Sequence, residues 1–410
     1  MEIEICVSNH SLVTLHRLKR FPYLTRNILL LSAVSMFNDV GSEMLIPIMP
    51  LYFSDIGFST VLIGFLEGVA EAIAAFAKLY FGRLSDQSGQ RKPFIFWGYL
   101  LSAFSKTATG LSILPGSVLA ARSGDKLGKG LRTAARDALL ADESAAENRG
   151  KVFGFHKAAD TLGAVIGPGI AVLWLISNPG SFRELFLFAL LPGLLASGMV
   201  LLIIERKRVT LGSQKAATSF KFLFSYFGEA TLGYRKLVFC LLLFNLFNSS
   251  DAFLLLFAKQ QGISVVHIIL IYIGYNIVFA LAAFPSGILA DRIGMKRVFL
   301  LGLAVFALAY FIISYSSSIG VLIFGFALYG FFPALTDGVS KAWLTQLIPA
   351  TEKATGLGFF GMASGFCLLV ASTLTGFLWN SFGASIALSV SACGAVCSGI
   401  VLVIFAKKNT

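Results

Sequence analysis

The stretch "GRLSDQSGQRK" at residues 82–92 follows a long apolar segment, and "GILADRIGMKR" at 287–297 follows another. Both stretches begin with glycine, carry aspartate at the fifth and glycine at the eighth position, and end in two cations. Gly82 and Gly287 lie 205 positions apart in a chain of 410 residues. We therefore interpret the chain as two halves, each of which contains this stretch directly after its second apolar span.

The composition is that of a protein embedded in lipid. The chain is 56% hydrophobic and 13% charged, with a mean hydropathy of +0.80, whereas soluble domains are about a quarter charged. A spanning helix needs about 20 mainly apolar residues. We count twelve spans, at 28–53, 60–82, 94–113, 117–139, 151–177, 184–204, 236–258, 265–290, 297–316, 319–343, 355–379 and 384–406. The sequence thus predicts an all-α integral membrane protein with twelve transmembrane helices in two six-helix halves.

Charge placement predicts the orientation. One set of inter-span segments is rich in Lys and Arg, while the opposite set holds only Arg183 and Lys259. Because cytoplasmic loops carry the excess of cations, both termini are predicted to be cytoplasmic, in a multi-pass protein of the inner (cytoplasmic) membrane. The predicted segments are an amino-terminal tail at 1–27, a first half at 28–204, a cytoplasmic linker at 205–235, a second half at 236–406 and a tail at 407–410.

The two quoted stretches resemble the loop signature G-x-L-x-D-R-x-G-R-K of the major facilitator superfamily, and the first copy departs from it at Gln87. The resemblance implies transport by alternating access and a gate at the cytoplasmic loops. In that gate, the glycine that begins each stretch would allow close helix contact, and the glycine at the eighth position would form the turn. The aspartates would accept hydrogen bonds from the amino terminus of a neighbouring helix. The residues concerned are Gly82, Asp86, Gly89, Arg91, Lys92, Gly287, Asp291, Arg292, Gly294 and Arg297.

A second stretch, "GFHKAADTLGAVIGPGI" at 154–170, resembles the G-x8-G-x3-G-P motif of the proton-coupled antiporters of that superfamily. Gly154, Gly163, Gly167 and Pro168 match it, whereas Ala171 and Val172 stand where the family has a closing glycine pair. The resemblance implies a tight helix contact that prevents proton leak, as in the twelve-span bacterial drug:proton antiporters. The alternative is an ordinary face of small residues that packs against a neighbouring helix.

Ionisable residues occur within the predicted spans, where they are costly. Acids four residues apart share a face of spans one and two, and cations at three- and four-residue spacing form a stripe on span four. The candidate residues for proton coupling or for a substrate cavity are Asp39, Glu43, Glu67, Glu71, Arg122, Asp125, Lys126, Lys129, Lys157, Asp160 and Asp251. Arg122 resembles the family's fourth-helix arginine, which takes part in proton coupling.

Two interpretations of these charges remain open. The cations of span four can neutralise the acids in a static network, since buried charges persist when they are paired. Alternatively, an acid without a cation partner loads and releases a proton as access alternates. The candidates for loading and releasing a proton are Asp39, Glu67, Glu71 and Asp160. Both interpretations can be true, each for different residues.

The predicted function is secondary active transport of a small organic solute by proton-coupled efflux. The alternative is proton-coupled import of an anionic solute, such as an organic acid or a metal-siderophore chelate, which the basic stripe favours. An enzyme is disfavoured because the sequence lacks catalytic, metal-binding and nucleotide-binding motifs. We expect no cofactor and no metal. The expected partners are the solute, protons and the bilayer, without nucleic acid, and the chain is expected to act as a monomer.

Overall fold

The protein was analysed as a computed structural model that describes residues 24–144, 149–205, 226–316, 318–349 and 353–407. Most of the amino-terminal tail, residues 206–225 of the predicted linker and the last three residues lie outside the described residues. The regular structure of the described residues is helical.

Fifteen helices of the described residues build the spans. They are α1 (Arg26–Leu45), α2 (Met49–Asp55), α3 (Thr60–Ser88), α4 (Lys92–Leu111), α5 (Pro115–Asp142), α6 (Arg149–Ser177), α7 (Phe182–Phe188), α8 (Leu190–Leu201), α9 (Leu232–Asn245), α10 (Ala252–Gln260), α11 (Val265–Ile293), α12 (Met295–Ser314), α13 (Ile319–Leu347), α14 (Lys353–Phe382) and α15 (Ala384–Lys407). The pairs α1–α2, α7–α8 and α9–α10 each form one span. The predicted fold class, twelve spans in two six-helix halves, is confirmed.

The helix boundaries repeat with the same period as the sequence. α3 and α11 begin 205 residues apart and end 205 residues apart, and so do the last residues of α6 and α14. The second and fifth spans of the two halves therefore correspond along the chain, as expected of a duplicated transporter bundle.

Nine helices or helix pairs of the described residues are long and apolar enough to cross a membrane by composition. Spans three, four and seven are not among them. Lys106 interrupts the apolar surface of α4, the basic stripe runs along α5, and span seven is divided into α9 and α10. All three of these spans contribute polar side chains to the interior cavity, as spans one and two also do.

Spans one, six and seven are each divided, whereas each was expected to be continuous. The division of span six lies between α7 and α8, and the other two breaks bear on the site. The first break, at residues 46–48, contains Pro47, which cannot donate a backbone hydrogen bond. The second break lies between α9 and α10, where the N–H of Ser250 donates to Ser372 Oγ at 3.1 Å and the N–H of Ala252 donates to Ser250 Oγ at 3.3 Å. The side chains at 248–251 are thereby brought to the centre of the bundle.

The two halves meet at the end of the molecule where α2 ends at Asp55, here called the Asp55 end. A buried cluster there includes Phe53 and Phe182 of the first half and Leu256 and Ile269 of the second. Lys259 adds an ion pair to Asp55 and donates to the carbonyl of Leu51 at 3.2 Å. The opposite end, which carries the turn at Gly89, is called the Gly89 end.

The halves also touch along α3 and α14, where glycines allow backbone contact. A Cβ built on Gly68 would lie 2.6 Å from Leu369 Cα, and one built on Gly376 would lie 2.5 Å from the carbonyl oxygen of Thr60. Both distances are too short for a side chain. The α3–α14 contact therefore depends on glycine at these positions.

Candidate functional site

A cavity of about 350 Å³ lies between the halves at mid-length of the bundle. The first half lines it with Asp39, Ser42, Glu43, Ile46, Met49, Pro50, Glu67, Glu71, Lys106, Arg122, Asp125, Lys126, Lys129 and Arg132. The second half lines it with Asn248, Ser249, Ser250, Asp251, Ala252, Leu255 and Leu368. The cavity is thus strongly charged on one wall and mainly polar or apolar on the other.

Glu67 and Glu71 are held by cations of α5. Arg122 binds Glu67 with one guanidinium nitrogen at 2.7 and 2.8 Å from the two carboxylate oxygens. Lys126 forms an ion pair with Glu71. Because α3 presents its acids four residues apart and α5 presents its cations with the same spacing, the two pairs stack one turn apart.

Asp125 is the third acid with cation partners. Lys106 Nζ lies 3.5 Å from one of its oxygens, and Arg122 Nη1 lies 3.5 Å from the other. Ser102 donates to the same carboxylate, and Lys106 Nζ donates to Ser102 Oγ at 2.8 Å. Sequence reasoning missed Lys106 and Ser102, although a lysine within the apolar run of α4 was a usable signal.

Three acids of the cavity are held by neutral donors instead. Asp39 accepts from Asn38 Nδ2 at 3.0 Å, and Glu43 accepts from the hydroxyl of Tyr272 at 2.9 Å. Asp251 accepts from the hydroxyls of Tyr275 and Tyr329 at 2.9 and 2.6 Å. Among the described residues, no Lys or Arg nitrogen lies within 4.0 Å of these three carboxylates. The cavity therefore contains both kinds of acid that the sequence left open.

The tyrosines that hold these acids belong to the second half, and sequence reasoning missed them. Tyr275 and Tyr329 pack edge to face with ring centroids 5.6 Å apart, and Tyr310 lies 5.8 Å from Tyr329. They come from α11, α12 and α13, which only the folded bundle brings together. The hydrogen bond from Tyr272 to Glu43 also joins α11 of one half to α1 of the other.

Lys157 and Asp160 do not line the cavity. Lys157 is exposed on α6, and Asp160 is partly buried one helical turn further on. His156 Nε2 lies 3.7 Å from Asp160 Oδ1, beyond hydrogen-bond distance. Lys157 and Asp160 are therefore outside the set of residues that line the cavity.

The first loop copy is fixed by an acid that the sequence did not single out. Glu205, at the end of span six, accepts from the backbone N–H groups of Arg91 and Lys92 at 2.5 and 2.9 Å, where α4 begins. A carboxylate is favoured at a helix amino terminus. Gly89 forms the turn with φ of +65°, as the signature implies. The side chain of Asp86 lies outside the described residues.

The second loop copy differs from the first. A Cβ built on Gly82 would meet Ala134 Cβ at 2.9 Å, but nothing lies within 4 Å of one built on Gly287. The described structure therefore shows no close contact at Gly287, and the helix contact expected there stays a prediction. Gly294 does adopt a positive φ, +94°, before α12, while Asp291, Arg292 and Arg297 are exposed.

The glycines of α6 lie against α1. A Cβ on Gly163 would be 2.5 Å from the carbonyl oxygen of Met36, and one on Gly167 would be 2.4 Å from that of Val40. Pro168 follows within the same helix. The two backbones therefore touch directly beside Asp39. The surroundings of Gly154 lie outside the described residues.

No group of three or more His, Cys, Asp and Glu residues in the described part of the chain is arranged to hold a metal ion. The paired charges of the cavity are carboxylate–ammonium and carboxylate–guanidinium contacts.

A duplicated twelve-helix bundle with a charged cavity between its halves defines a membrane transporter, not an enzyme. The family model of the Major Facilitator Superfamily matches residues 31–272 and 237–410. The chain belongs to the major facilitator superfamily.

Relatives agree with this assignment. The MFS-type transporter MJ1317 of Methanocaldococcus jannaschii is 33% identical over 87% of this chain and 89% of its own. The quinolone resistance protein NorA of Staphylococcus aureus is 27% identical over 43% of this chain and 45% of its own. The crystal structure of the nucleoside transporter NupG superposes with a TM-score of 0.72 at 13% identity, covering 93% of this chain and 99% of that one.

Proposed function

We propose that the protein exports a small organic solute in exchange for protons, by alternating access to the cavity between its halves. The observation that carries this proposal is the set of cavity acids without a cation partner among the described residues: Asp39, Glu43 and Asp251. A carboxylate inside a membrane protein that lacks a cation partner is costly when ionised. Such an acid can hold a proton in one access state and exchange it for solute in the other.

The paired acids have a different role in this proposal. Glu67, Glu71 and Asp125 form ion pairs with cations of α4 and α5. They neutralise Arg122 and Lys126 of α5 and Lys106 of α4, so that these three charges are tolerated in the bundle. We therefore assign proton exchange to Asp39, Glu43 and Asp251 and a structural role to the paired acids.

Efflux is the proposed direction for two reasons. The α1–α6 contact at Gly163 and Gly167 gives the antiporter-like motif a physical basis. In addition, part of the chain is similar to NorA, which is named a quinolone resistance protein. The Lys and Arg distribution favours an orientation with the Gly89 end and both termini in the cytoplasm, in a protein of the cytoplasmic membrane. In that orientation the loops at Gly89 and Gly294 form the cytoplasmic gate.

Measurement of luminal pH in proteoliposomes tests this function. Purified protein is reconstituted with a pH-sensitive dye inside the vesicles, and a panel of organic cations, zwitterions and anions is added outside. Antiport predicts alkalinisation of the lumen by at least one solute, since solute entry drives protons out. That signal should disappear when Asp39, Glu43 and Asp251 are replaced together by Asn, Gln and Asn. Solute uptake without any pH change would contradict the proposal.

One observation favours the alternative, import of an anionic solute together with protons. Five cations of α4 and α5 line the cavity: Lys106, Arg122, Lys126, Lys129 and Arg132. Symport of an anion predicts acidification of the lumen, the opposite sign to antiport. The same recording therefore separates the two candidates.

A further inference from the structure

Arg132 carries a buried guanidinium that lacks an acid partner among the described residues. The residue is 6% exposed, and its Nη1 is buried without a hydrogen-bond partner in the described part of the chain. The guanidinium carbon lies 4.7 Å from the ring centroid of Tyr99, and the side chain lines the cavity. A permanent charge in this position needs a counter-charge.

The orientation of Arg132 is fixed before any ligand binds. A Cβ built on Gly98 of α4 would lie 2.7 Å from Arg132 Cβ, so the two helices are in direct contact at this level. Stacking on Tyr99 covers one face of the guanidinium. The planar fork of donors that remains matches the two oxygens of a carboxylate.

Lys129 lies one turn before Arg132 on the same side of α5 and also lines the cavity. No Asp or Glu oxygen of the described residues lies within 4.0 Å of its ammonium group. The other cations on this wall are occupied, since Arg122, Lys126 and Lys106 pair with Glu67, Glu71 and Asp125. Arg132 and Lys129 are therefore the two cations of this wall that form no ion pair with an acid of the described residues, although Asp39 and Glu43 line the same cavity.

We propose that Arg132 and Lys129 form an anion subsite that binds the carboxylate of the transported solute. This inference rests on the proposed transport through the cavity and names the solute class, an organic zwitterion. Its amine would face Glu43 or Asp251, the acids in the same cavity that have only neutral donors among the described residues. A monovalent amine without a carboxylate would leave the two cations unneutralised.

Two probes that differ only in the carboxylate test the subsite. Binding of 4-(aminomethyl)benzoate and of benzylamine to the purified full-length protein is measured by calorimetry at fixed pH, without a gradient. We expect the carboxylate to improve affinity by about tenfold or more, which is the effect of one charge-assisted hydrogen bond. Arg132→Gln and Lys129→Gln should each reduce this advantage, and Arg132→Lys should reduce it less than Arg132→Gln.

Arg136→Gln is the matched control. Arg136 lies on the same helix, does not line the cavity, and is bonded to Asp137 Oδ1 at 2.9 Å and to Ser35 Oγ at 2.5 Å. The carboxylate advantage should survive in this variant. Equal binding of the two probes by the unmodified protein, or the same loss in Arg136→Gln, would overturn the subsite.

Failure of the subsite is distinguishable from failure of the transport proposal. Calorimetry reports the carboxylate preference without proton movement, and luminal pH reports proton movement with any solute. Lys129→Gln alters an exposed side chain, so it provides an answer even when Arg132→Gln does not fold. An intact preference in a folded Lys129→Gln and Arg132→Gln protein contradicts the proposal.

Discussion

The acids of the cavity differ in their partners more than in their burial. Arg122 binds Glu67 through both carboxylate oxygens, whereas Asp251 is held by tyrosine hydroxyls. Removing a charge from each site should therefore have different consequences. In the proposed function, the acid in the ion pair balances a buried cation, and the acid between tyrosines exchanges the proton.

Asp251→Asn should abolish proton movement while leaving solute exchange intact. The amide keeps the shape of the side chain and still accepts from Tyr275 or Tyr329, but it cannot carry a proton between access states. The measurement is solute counterflow in parallel with luminal pH in proteoliposomes. Loss of counterflow together with proton movement would show that Asp251 is needed for solute binding, and it would contradict a role in proton exchange alone.

Glu67→Gln is the matched comparison for that variant. It leaves the guanidinium of Arg122 without the carboxylate that binds it through both oxygens, and breaking a buried ion pair costs about 3 kcal/mol of stability. We expect a lower unfolding temperature in detergent, whereas Asp251→Asn should leave this temperature nearly unchanged. Equal destabilisation by the two changes would contradict the distinction between paired and unpaired acids.

Lys106→Met should destabilise the protein by about 2 kcal/mol, because Asp125 would lose one of its two cation partners and keep only Arg122 as the other. Lys106 is 3% exposed, so water cannot replace the ammonium group. Thermal unfolding in detergent measures the effect. Lys157→Met, on an exposed side chain outside the cavity, is the control and should unfold at the original temperature.

At the level of helices, glycines decide how closely neighbours approach. Gly167 faces α1 at a distance that excludes a methyl group, whereas nothing lies within 4 Å of a Cβ built on Gly169. The two glycines belong to the same helix, α6. They therefore separate the effect of helix contact from the effect of helix propensity.

Gly167→Ala should cost about 1–3 kcal/mol, since overpacking forces α6 away from α1. It should also allow protons to leak through the protein without solute, because the displaced contact lies beside Asp39. Gly169→Ala should be neutral or stabilising, as alanine favours helix. Unfolding temperature and proton leak in solute-free vesicles are the measurements. A leak of equal size in both variants would exclude the α1–α6 contact as its cause.

The sequence predicted the helices well and their interruptions poorly. Apolar runs and the repeated loop signature determine how many spans exist and where they begin, since a helix in lipid must satisfy its own backbone. The breaks at 46–48 and 246–251 depend on contacts with other helices, such as Ser250 with Ser372. The polar run "FNSSD" at 247–251 was nevertheless a signal, because Asn, Ser and Asp side chains compete for backbone hydrogen bonds.

The charged residues of the cavity were largely visible in the sequence, but their pairing was not. Spacing alone placed Glu67 and Glu71 on one face and Arg122 and Lys126 on another. Which acid meets which cation depends on how α3, α4 and α5 pack. The tyrosines around Asp251 had no signal, because single aromatic residues on three separate apolar helices are unremarkable until those helices meet.

At the scale of the whole molecule, the described residues hold the halves together at the Asp55 end by an apolar cluster and by an ion pair between α2 and α10. The pair of Asp55 and Lys259 is partly exposed, with side chains 45% and 27% accessible. Pairs of this kind contribute up to about 1 kcal/mol. The apolar cluster therefore provides most of the free energy that keeps the Asp55 end closed, and the ion pair adds a smaller contribution.

Lys259→Glu should open the Asp55 end, because it places two carboxylates together. The expected change in the closed population is about fivefold at most, in line with the strength of an exposed pair. Spin labels on cysteines introduced at exposed Leu114 and Gln261, in a cysteine-free background, report the distance between the halves. The double exchange Asp55→Lys with Lys259→Glu should restore the closed distance. Unchanged distances in the single variant would assign closure to the apolar cluster alone.

The two walls of the cavity differ in how freely they can change over evolutionary time. On the wall from the first half, substitution of Glu67, Lys106 or Arg122 leaves a buried partner charge unbalanced. The sequence of that wall is therefore restricted during evolution. Asn248, Leu255 and Leu368 line the opposite wall and take part in none of the ion pairs described for this chain. New solute preferences can therefore be acquired by single substitutions in the second half, while the inherited ion pairs of the first half stay intact.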